Sequence, residues 1–329
     1  MKKIGVNGFG RIGRYFTRMM LFRDDMQVAV INDLADVNTL AHLFKYDSIH
    51  GKEEFPFKVV GQKMIFENGK EILFTQECEP INIPWGVNGV STVVECTGVF
   101  RSEEEASLHL KGGAKKVIIS APAKGNVKTI VLGVNDNELL HDDIILSNAS
   151  CTTNNAAPMM KVLKEFLEIE SAYITTIHSY TSDQRLHDSP HSDLRRARAA
   201  NLSIIPTSTG AAKAITKIFP DLEGKIGGCG IRVPVPNGSM TDLTMVVKTS
   251  PTIEKINAAM KLASENSLKG ILGYTDEPIV SVDILGNTHS CLFDSQLTSV
   301  IGNMVKVVGW YDNEAGYSNR LVDLVARIS

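Results

Sequence analysis

The sequence lacks long apolar runs and has no marked excess of charge of either sign. No stretch of its 329 residues approaches the roughly 18 apolar residues that a membrane span requires. The first ten residues, MKKIGVNGFG, turn to glycine and asparagine after two lysines and do not form a secretory signal. With a formal net charge of −3, there is no electrostatic reason to expect nucleic acid or a membrane as a partner.

Cysteine is scarce. The five cysteines are odd in number and widely spaced, without a CxxC pair, which fits reduced thiols in a cytosol. We therefore expect a cytoplasmic protein and predict no metal site. The five positions are Cys78, Cys96, Cys151, Cys229 and Cys291.

The order of apolar segments predicts two domains. Up to about residue 150, strand-like runs alternate with helix-like runs, which is typical of a mostly parallel sheet covered by helices on both faces. The strand candidates are KIGVN, QVAVIND, STVVECTG, KKVIISAP, TIVLGVN and DIILSN. Helical spacing relates Ile12, Phe16, Met19 and Met20, and also Leu40, Leu43 and Phe44, while Ser102 and Glu105 form a capping box.

After Cys151 the strand candidates become longer and alternate apolar with polar residues, which predicts a mainly antiparallel sheet with one covered face. They are SAYITTIHSYT, CGIRVPVPN, DLTMVVKTS, PIVSVDIL and NMVKVVGWYD. The final segment, SNRLVDLVARIS, predicts an amphipathic helix. Its apolar face consists of Leu321, Leu324, Val325 and Ile328.

A glycine-rich turn follows the first strand candidate and precedes a helix candidate. The turn is GFGRIG, residues 8–13, and Asp33 lies 20 residues after Gly13, at the end of the next strand candidate. This context predicts a dinucleotide site, because glycines admit a pyrophosphate to the helix N-terminus and Asp33 can accept hydrogen bonds from a ribose. A carboxylate there repels a 2′-phosphate, so NAD is favoured over NADP.

Cys151 lies in SNASCTTNN, among small polar residues, at the predicted start of a helix. A helix N-terminus stabilises a thiolate, so Cys151 is a candidate nucleophile. Such a nucleophile needs a base, and His178 in the strand candidate SAYITTIHSYT is a candidate for it. The residues alone leave a structural role open for both.

Three segments after His178 contain candidate anion ligands. Arg232 is the one charge in the apolar strand candidate GIRVPVPN, and it is either a salt-bridge partner or an anion ligand. The run DLRRARAA is equally compatible with a solvated face. The stretch PTSTGAAKA has hydroxyls, a glycine and a possible helix start, which suit a phosphate or merely a cap.

Taken together, these segments resemble phosphorylating glyceraldehyde-3-phosphate dehydrogenases. The resemblance covers essentially the whole chain, and SNASCTTN is its most specific motif. The matching segments are NGFGRIGR, ECTGVF, KKVIISAPAK, SNASCTTN, DLRRARAA, IPTSTGAAKA and WYDNEAGYSNR.

The resemblance implies a role for each matching residue. Cys151 would be the nucleophile and His178 its base. The dinucleotide would be held by Gly8, Phe9, Gly10, Arg11, Ile12, Asp33, Ser120 and Asn313, with Asn313 orienting the nicotinamide amide. The substrate phosphate and the inorganic phosphate would be bound by Ser150, Thr152, Thr181, Thr209, Gly210 and Arg232.

The implied architecture is a Rossmann-type doubly wound α/β domain for NAD, residues 1–150 with a returning helix 314–329, and an α+β catalytic domain, residues 151–313. The implied assembly is a homotetramer. The implied reaction oxidises D-glyceraldehyde 3-phosphate to 1,3-bisphosphoglycerate through a hemithioacetal and a thioester on Cys151, with inorganic phosphate as second substrate.

Some positions depart from the family pattern and leave alternatives open. Asn155 stands where many members have a second cysteine, Ala315 replaces a commonly larger residue, and Ser189-Pro190 matches neither the common NAD nor the common NADP version. The alternatives are an erythrose-4-phosphate dehydrogenase, an NADP-linked biosynthetic enzyme, and a binding or redox-sensing protein derived from a dehydrogenase.

Overall fold

The computed structural model of the chain describes residues 1–329 as two compact units. The first unit comprises Met1–Ile130, Glu138–Ala149 and Ser318–Ser329, and the second comprises Val131–Asn137 and Ser150–Tyr317. None of the helices has the length and apolar character needed to span a bilayer.

The helices are α1 (Arg11–Met20), α2 (Val37–Lys45), α3 (Glu103–Lys111), α4 (Cys151–Lys164), α5 (Ala211–Ile218), α6 (Ile253–Glu265) and α7 (Ala315–Ile328). The strands of the first unit are β1 (Lys2–Asn7), β2 (Met26–Asn32), β3 (Tyr46–Asp47), β4 (Gly51–Lys52), β5 (Phe57–Val60), β6 (Lys63–Phe66), β7 (Glu71–Thr75), β8 (Thr92–Glu95), β9 (Lys116–Ile119), β10 (Lys128–Thr129) and β11 (Ile145–Ser147). Those of the second unit are β12 (Ile169–Ser179), β13 (Ile205–Thr207), β14 (Ile226–Val233), β15 (Ser239–Val247), β16 (Leu272–Thr275), β17 (Cys291–Ile301) and β18 (Met304–Tyr311).

The first unit contains a nine-stranded sheet in the order β10-β11-β9-β8-β1-β2-β7-β6-β5. Neighbouring strands are parallel from β10 to β7, and β6 and β5 add an antiparallel edge. The predicted α/β fold with a parallel sheet is confirmed. The sequence patterns predict no strand over β5, β6 and β7, so these three strands extend the predicted sheet.

One strand prediction in this part of the chain is wrong. Of TIVLGVN only Thr129 lies in a strand, and residues 132–135 form a turn. The side-chain oxygen of Asn135 accepts the N–H of Val131 at 2.8 Å, and Gly133 has a φ of 80°. A local side-chain to backbone hydrogen bond therefore replaces the extended conformation that the apolar residues suggest.

The predicted helical faces are confirmed in part. Phe16 and Met20 of α1 are buried, as are Leu40 and Phe44 of α2, whereas Leu43 is 41% exposed. The prediction for Leu43 is wrong. The buried face of α2 is centred on Leu40 and Phe44, which are four residues apart, and Leu43 lies at the edge of that face. The capping box of Ser102 and Glu105 is present at α3. The predicted apolar face of α7, formed by Leu321, Leu324, Val325 and Ile328, is buried.

The second unit contains a seven-stranded sheet in the order β13-β14-β12-β15-β18-β17-β16. It is mainly antiparallel, as predicted, with parallel pairs only at β12/β14 and β16/β17. The strand prediction for PIVSVDIL is wrong, because Ser281–Ile284 is a 3₁₀ turn. A carboxylate oxygen of Asp283 accepts the N–H of Val280 at 2.8 Å and closes that turn.

A buried carboxylate, Glu95 at the end of β8, organises the centre of the first unit. Its Oε2 accepts from Nδ2 of Asn7 at 2.6 Å and lies 3.0 Å from Nε2 of His109. The indole N–H of Trp85 can only donate, and it lies 3.2 Å from Nδ1 of His109. His109 therefore carries its proton on Nε2 and donates to Glu95. The N–H of Thr97 donates to Oε1 at 2.7 Å.

We expect Glu95→Gln to destabilise the folded chain by about 1–3 kcal/mol, because the amide presents a donor where donors already converge in a buried site. The measurement is the free energy of unfolding in urea. Glu54→Gln, at an exposed position, is the matched control. Equal stability of both variants would contradict the hydrogen-bond assignment.

Candidate active site

Cys151 is the first residue of α4, as predicted, where the helix N-terminus favours negative charge. Ser150 is the N-cap, and its hydroxyl oxygen accepts the N–H of Thr153 at 3.1 Å. Ala149, just before the cap, has a φ of 55°, the one left-handed non-glycine residue of the chain. Such conformations are uncommon and concentrate at functional sites.

His178, in β12, lies beside the thiol. Its Nε2 is 3.4 Å from Sγ of Cys151, and its Nδ1 is 2.7 Å from the carbonyl oxygen of Ser179. A proton on Nδ1 donates to that carbonyl and leaves the lone pair of Nε2 facing the thiol. This is the arrangement that a general base requires.

Arg232 lies on the other side of the imidazole. The parallel pairing of β12 and β14 places Arg232 opposite His178, and its Nη1 contacts Nδ1 of His178 and donates to the carbonyl of Ser179 at 2.9 Å. Burial and the charge of Arg232 lower the pKa of His178 to about 3. Burial raises the pKa of the Cys151 thiol, and the charge of Arg232 opposes that rise. His178 is therefore an unprotonated base at neutral pH.

Tyr311, at the end of β18, connects the surroundings of this pair. Its buried hydroxyl lies 3.0 Å from Oγ1 of Thr152 and 2.9 Å from Oγ1 of Thr176. Its ring meets that of His178 edge to face, with centroids 5.9 Å apart. Burial raises the pKa of Tyr311, so the hydroxyl stays protonated and can bond both threonines.

Arg196 lies in DLRRARAA, a segment whose role the sequence leaves open. Its Nε donates to Oγ1 of Thr207 at 2.9 Å, and its guanidinium pairs with Asp183. Its charge helps to lower the pKa of both His178 and Arg232. Nothing in the sequence spacing singles out this arginine, because Asp183 lies in the loop after β12 and Thr207 lies at the end of β13.

The other predicted anion ligands lie at strand ends. Thr181 follows β12, and its hydroxyl has no hydrogen-bond partner in the protein. Thr209 and Gly210 follow β13, with Oγ1 of Thr209 accepting the N–H of Ala211 at 3.3 Å. Gly210 is the exposed N-cap of α5 and supplies no side-chain cap. None of these three residues is hydrogen-bonded to the cysteine or the histidine.

Asn313 follows β18 and is held by two serines. Its Oδ1 accepts from Oγ of Ser179 at 2.8 Å and from Oγ of Ser239 at 2.8 Å. Its Nδ2 has no hydrogen-bond partner in the protein. The residue therefore presents a donor to a bound molecule.

In the first unit, the glycine-rich turn joins β1 to α1 and fits a dinucleotide. Gly8 has a φ of 93°, and a Cβ on Gly13 would lie 2.2 Å from the carbonyl oxygen of Gly8. A Cβ on Gly10 would meet no atom within 4 Å, so the space at the start of α1 is open. The helix has no side-chain cap, and its first N–H groups suit a pyrophosphate. Asp33 accepts the N–H of Phe9 at 2.7 Å and so fixes the turn.

The remaining predicted cofactor residues differ in what holds them. The guanidinium of Arg11 is held by Asp47, with Nη2 and Oδ1 3.0 Å apart, so a role in holding phosphate falls to its main-chain N–H. Burial raises the pKa of Asp47, but the hydrogen bonds from Arg11 and from the N–H groups of His50 and Ile49 together outweigh this and lower it to about 2. Ile12 is the second residue of α1, and Ser120 follows β9, with its N–H donating to the carbonyl of Glu95 at 2.9 Å.

Comparison with known proteins gives matches along the whole chain. Residues 2–103 match the NAD binding domain of glyceraldehyde 3-phosphate dehydrogenase, and residues 150–313 match its C-terminal domain. Proteins named glyceraldehyde-3-phosphate dehydrogenase are 54% identical in Geobacillus stearothermophilus and 53% identical in Mycobacterium avium, each over 99% of this chain and 98% of that protein. The protein of that name from Thermotoga maritima is 55% identical over 98% of both chains.

A dinucleotide-binding unit combined with a cysteine and histidine beside two arginines is typical of NAD-dependent dehydrogenases that act through a thiol. The matches narrow this class to one family. The chain belongs to the glyceraldehyde-3-phosphate dehydrogenase family, which confirms the predicted resemblance and NAD as the expected cofactor.

The depressed pKa of His178 predicts an acid-sensitive fold. An unfolded chain protonates His178 below about pH 6.5, whereas the folded chain does so only below about pH 3. Protons therefore favour unfolding across this window, and stability falls as the pH is lowered through it. In His178→Asn, the slope of the unfolding free energy against pH should be shallower by up to about 1.4 kcal/mol per pH unit.

The measurement is a set of urea titrations at pH values inside that window. His141→Asn, which changes an exposed histidine, is the control and should keep the wild-type slope. A wild-type slope in His178→Asn would show that His178 titrates normally in the folded protein.

Proposed function

We propose that the protein catalyses the phosphorylating oxidation of D-glyceraldehyde 3-phosphate to 1,3-bisphosphoglycerate with NAD. The observation that carries the proposal is the contact of 3.4 Å between Cys151 and the unprotonated His178, beside two arginines, in a chain that matches the family over nearly its whole length. Cys151 is the nucleophile and His178 the general base in this proposal.

Residues 1–150 with 314–329 form the NAD-binding domain in this proposal, and residues 151–313 form the catalytic domain. The glycine-rich turn, with Gly8, Phe9, Gly10, Arg11 and Ile12, holds the pyrophosphate through N–H groups. Asp33 accepts hydrogen bonds from the ribose, and Ser120 and Asn313 contact the cofactor. When bound, NAD supplies the hydride acceptor. NAD is preferred to NADP because the carboxylate of Asp33 repels a 2′-phosphate.

Proton transfer to His178 starts the chemistry. As its Nε2 takes the thiol proton, the sulfur of Cys151 attacks the aldehyde carbon, and the charge of Arg232 stabilises the thiolate. N–H groups at the start of α4 stabilise the oxyanion, a donor of this kind being worth about 3 kcal/mol in other enzymes. His178 returns the thiol proton to the oxyanion, which completes the hemithioacetal, and then takes the hydroxyl proton back while hydride leaves the carbon. A thioester remains on Cys151.

Inorganic phosphate then attacks the thioester carbonyl, the bond to sulfur breaks and the acyl phosphate leaves. The guanidinium of Arg232 offers a strong ligand to phosphate. Burial lowers the pKa of Arg232, and the charge of Arg196 also lowers it, so an anion bound near both cations relieves their repulsion. The further ligands in this proposal are Ser150, Thr152, Thr181, Thr209 and Gly210. The proposed assembly is a homotetramer, which the resemblance implies. The proposed compartment is the cytoplasm, which the widely spaced cysteines favour.

We expect phosphate-dependent formation of NADH from glyceraldehyde 3-phosphate, followed by absorbance. Cys151→Ser should lower kcat/KM by about 10³-fold or more, because the hydroxyl is a far weaker nucleophile. His178→Asn should lower it by about 10²- to 10⁴-fold, the contribution of a general base. Cys78→Ser, at an exposed cysteine, should keep wild-type turnover.

Three outcomes would contradict the proposal. Turnover without phosphate and a preference for erythrose 4-phosphate would identify a hydrolytic dehydrogenase. A preference for NADP over NAD would overturn the interpretation of Asp33. Full activity of Cys151→Ser would exclude the thioester route.

A further inference from the structure

We propose that Ser179 and Ser239 are positioning residues that hold the side-chain amide of Asn313 with its amino group outward. The amino group of Asn313 then donates to the carbonyl oxygen of the carboxamide on the nicotinamide ring. This inference rests on the proposed function, in which Asn313 contacts the nicotinamide carboxamide.

The hydrogen bonds of the two serines define the direction of each donor. Both serines are buried, at 0% and 1% exposure for Ser179 and Ser239. Oγ of Ser239 accepts the N–H of Ser179 at 3.1 Å, so its own proton is available for Oδ1 of Asn313. Oγ of Ser179 donates to the same oxygen at 2.8 Å. Two hydroxyl donors therefore occupy both lone pairs of the amide oxygen.

The reversed amide fits this pocket less well. With Nδ2 facing the serines, both hydroxyls accept from the amide, and the proton of Ser179 has only Oγ of Ser239, 3.4 Å away, as an acceptor. One hydroxyl proton is then left without a partner in a buried site, which costs free energy. The hydrogen-bond network thus assigns the amide orientation, as such networks do for asparagine in general.

The same serine also contacts the catalytic histidine. The carbonyl of Ser179 receives hydrogen bonds from Nδ1 of His178 at 2.7 Å and from Arg232 at 2.9 Å, while its hydroxyl holds Asn313. One residue therefore fixes the orientation of both the base and the amide. Asn313 offers only N–H donors to a cofactor, and a carboxamide meets them with its carbonyl oxygen.

The test compares the dissociation constants of NAD and of 3-acetylpyridine adenine dinucleotide, measured by calorimetry on the full chain. The analogue keeps the carbonyl oxygen but has a methyl group in place of the amino group. In Ser179→Ala/Ser239→Ala the amide of Asn313 can reverse, and NAD can then use its own amino group, whereas the analogue cannot. We expect the ratio of the two constants, analogue over NAD, to rise by about three- to tenfold.

The matched control is Ser290→Ala, which removes a buried hydroxyl that has no hydrogen-bond partner and should leave the ratio unchanged. Asn313→Asp keeps an acceptor for both serines but turns a carboxylate oxygen outward, so it should raise the ratio in the same way. If the double variant does not fold, the ratio of the two dissociation constants in Asn313→Asp is the measurement that tests the inference.

An unchanged ratio in the folded double variant would overturn the positioning role while leaving the proposed function intact. An unchanged ratio in Asn313→Asp would show that Asn313 does not contact the carboxamide, and would overturn this inference together with that part of the proposed function. Equal weakening of both dinucleotides would show that the serines are only structural. A wild-type chain that binds neither dinucleotide would instead refute the proposed function, and this inference with it.

Discussion

The guanidinium of Arg232 is a fixed positive charge in a partly buried site, and the register of β12 and β14 places it opposite His178. The charge acts in opposite senses on the imidazole and the thiol. It disfavours the imidazolium of His178 and favours the thiolate of Cys151. In the proposed reaction, His178 therefore starts unprotonated, and the thiolate of Cys151 is stabilised once it forms. A single strand register thus places this charge where it affects both groups.

Around this charge, hydrogen bonds between uncharged groups fix the positions of the neighbouring side chains. The hydroxyl of Tyr311 bonds two threonines beside the cysteine and histidine, and Ser179 bonds to His178 and Asn313. The first unit uses the same principle, since the buried carboxylate of Glu95 is satisfied by amide, imidazole and main-chain donors. Fully satisfied buried networks of this kind stabilise one arrangement, because any alternative leaves a polar group without a partner.

Periodicity and turn chemistry predicted the two sheets, the capping box and the helix that starts at Cys151, because each depends on neighbouring residues. The two wrong strands have the apolar composition of true strands, and the side chains of Asn135 and Asp283 close turns there instead. The placement of Arg196 could not be predicted, because Asp183 and Thr207 lie 13 and 11 residues away in sequence and reach it only in the folded chain. The ion pair between Arg11 and Asp47 could not be predicted for the same reason.

Residues near both ends of the sequence complete the first unit. The hydroxyl of Ser329 lies 2.9 Å from that of Thr92, and Leu321 and Leu324 of α7 are buried. The second unit, by contrast, has all of its residues once Tyr317 has been added. During synthesis on the ribosome, the unit that begins first is therefore completed last. This order differs from the usual case, in which an N-terminal domain folds first, and the nascent first unit must keep its unfinished apolar surface from aggregating until α7 emerges.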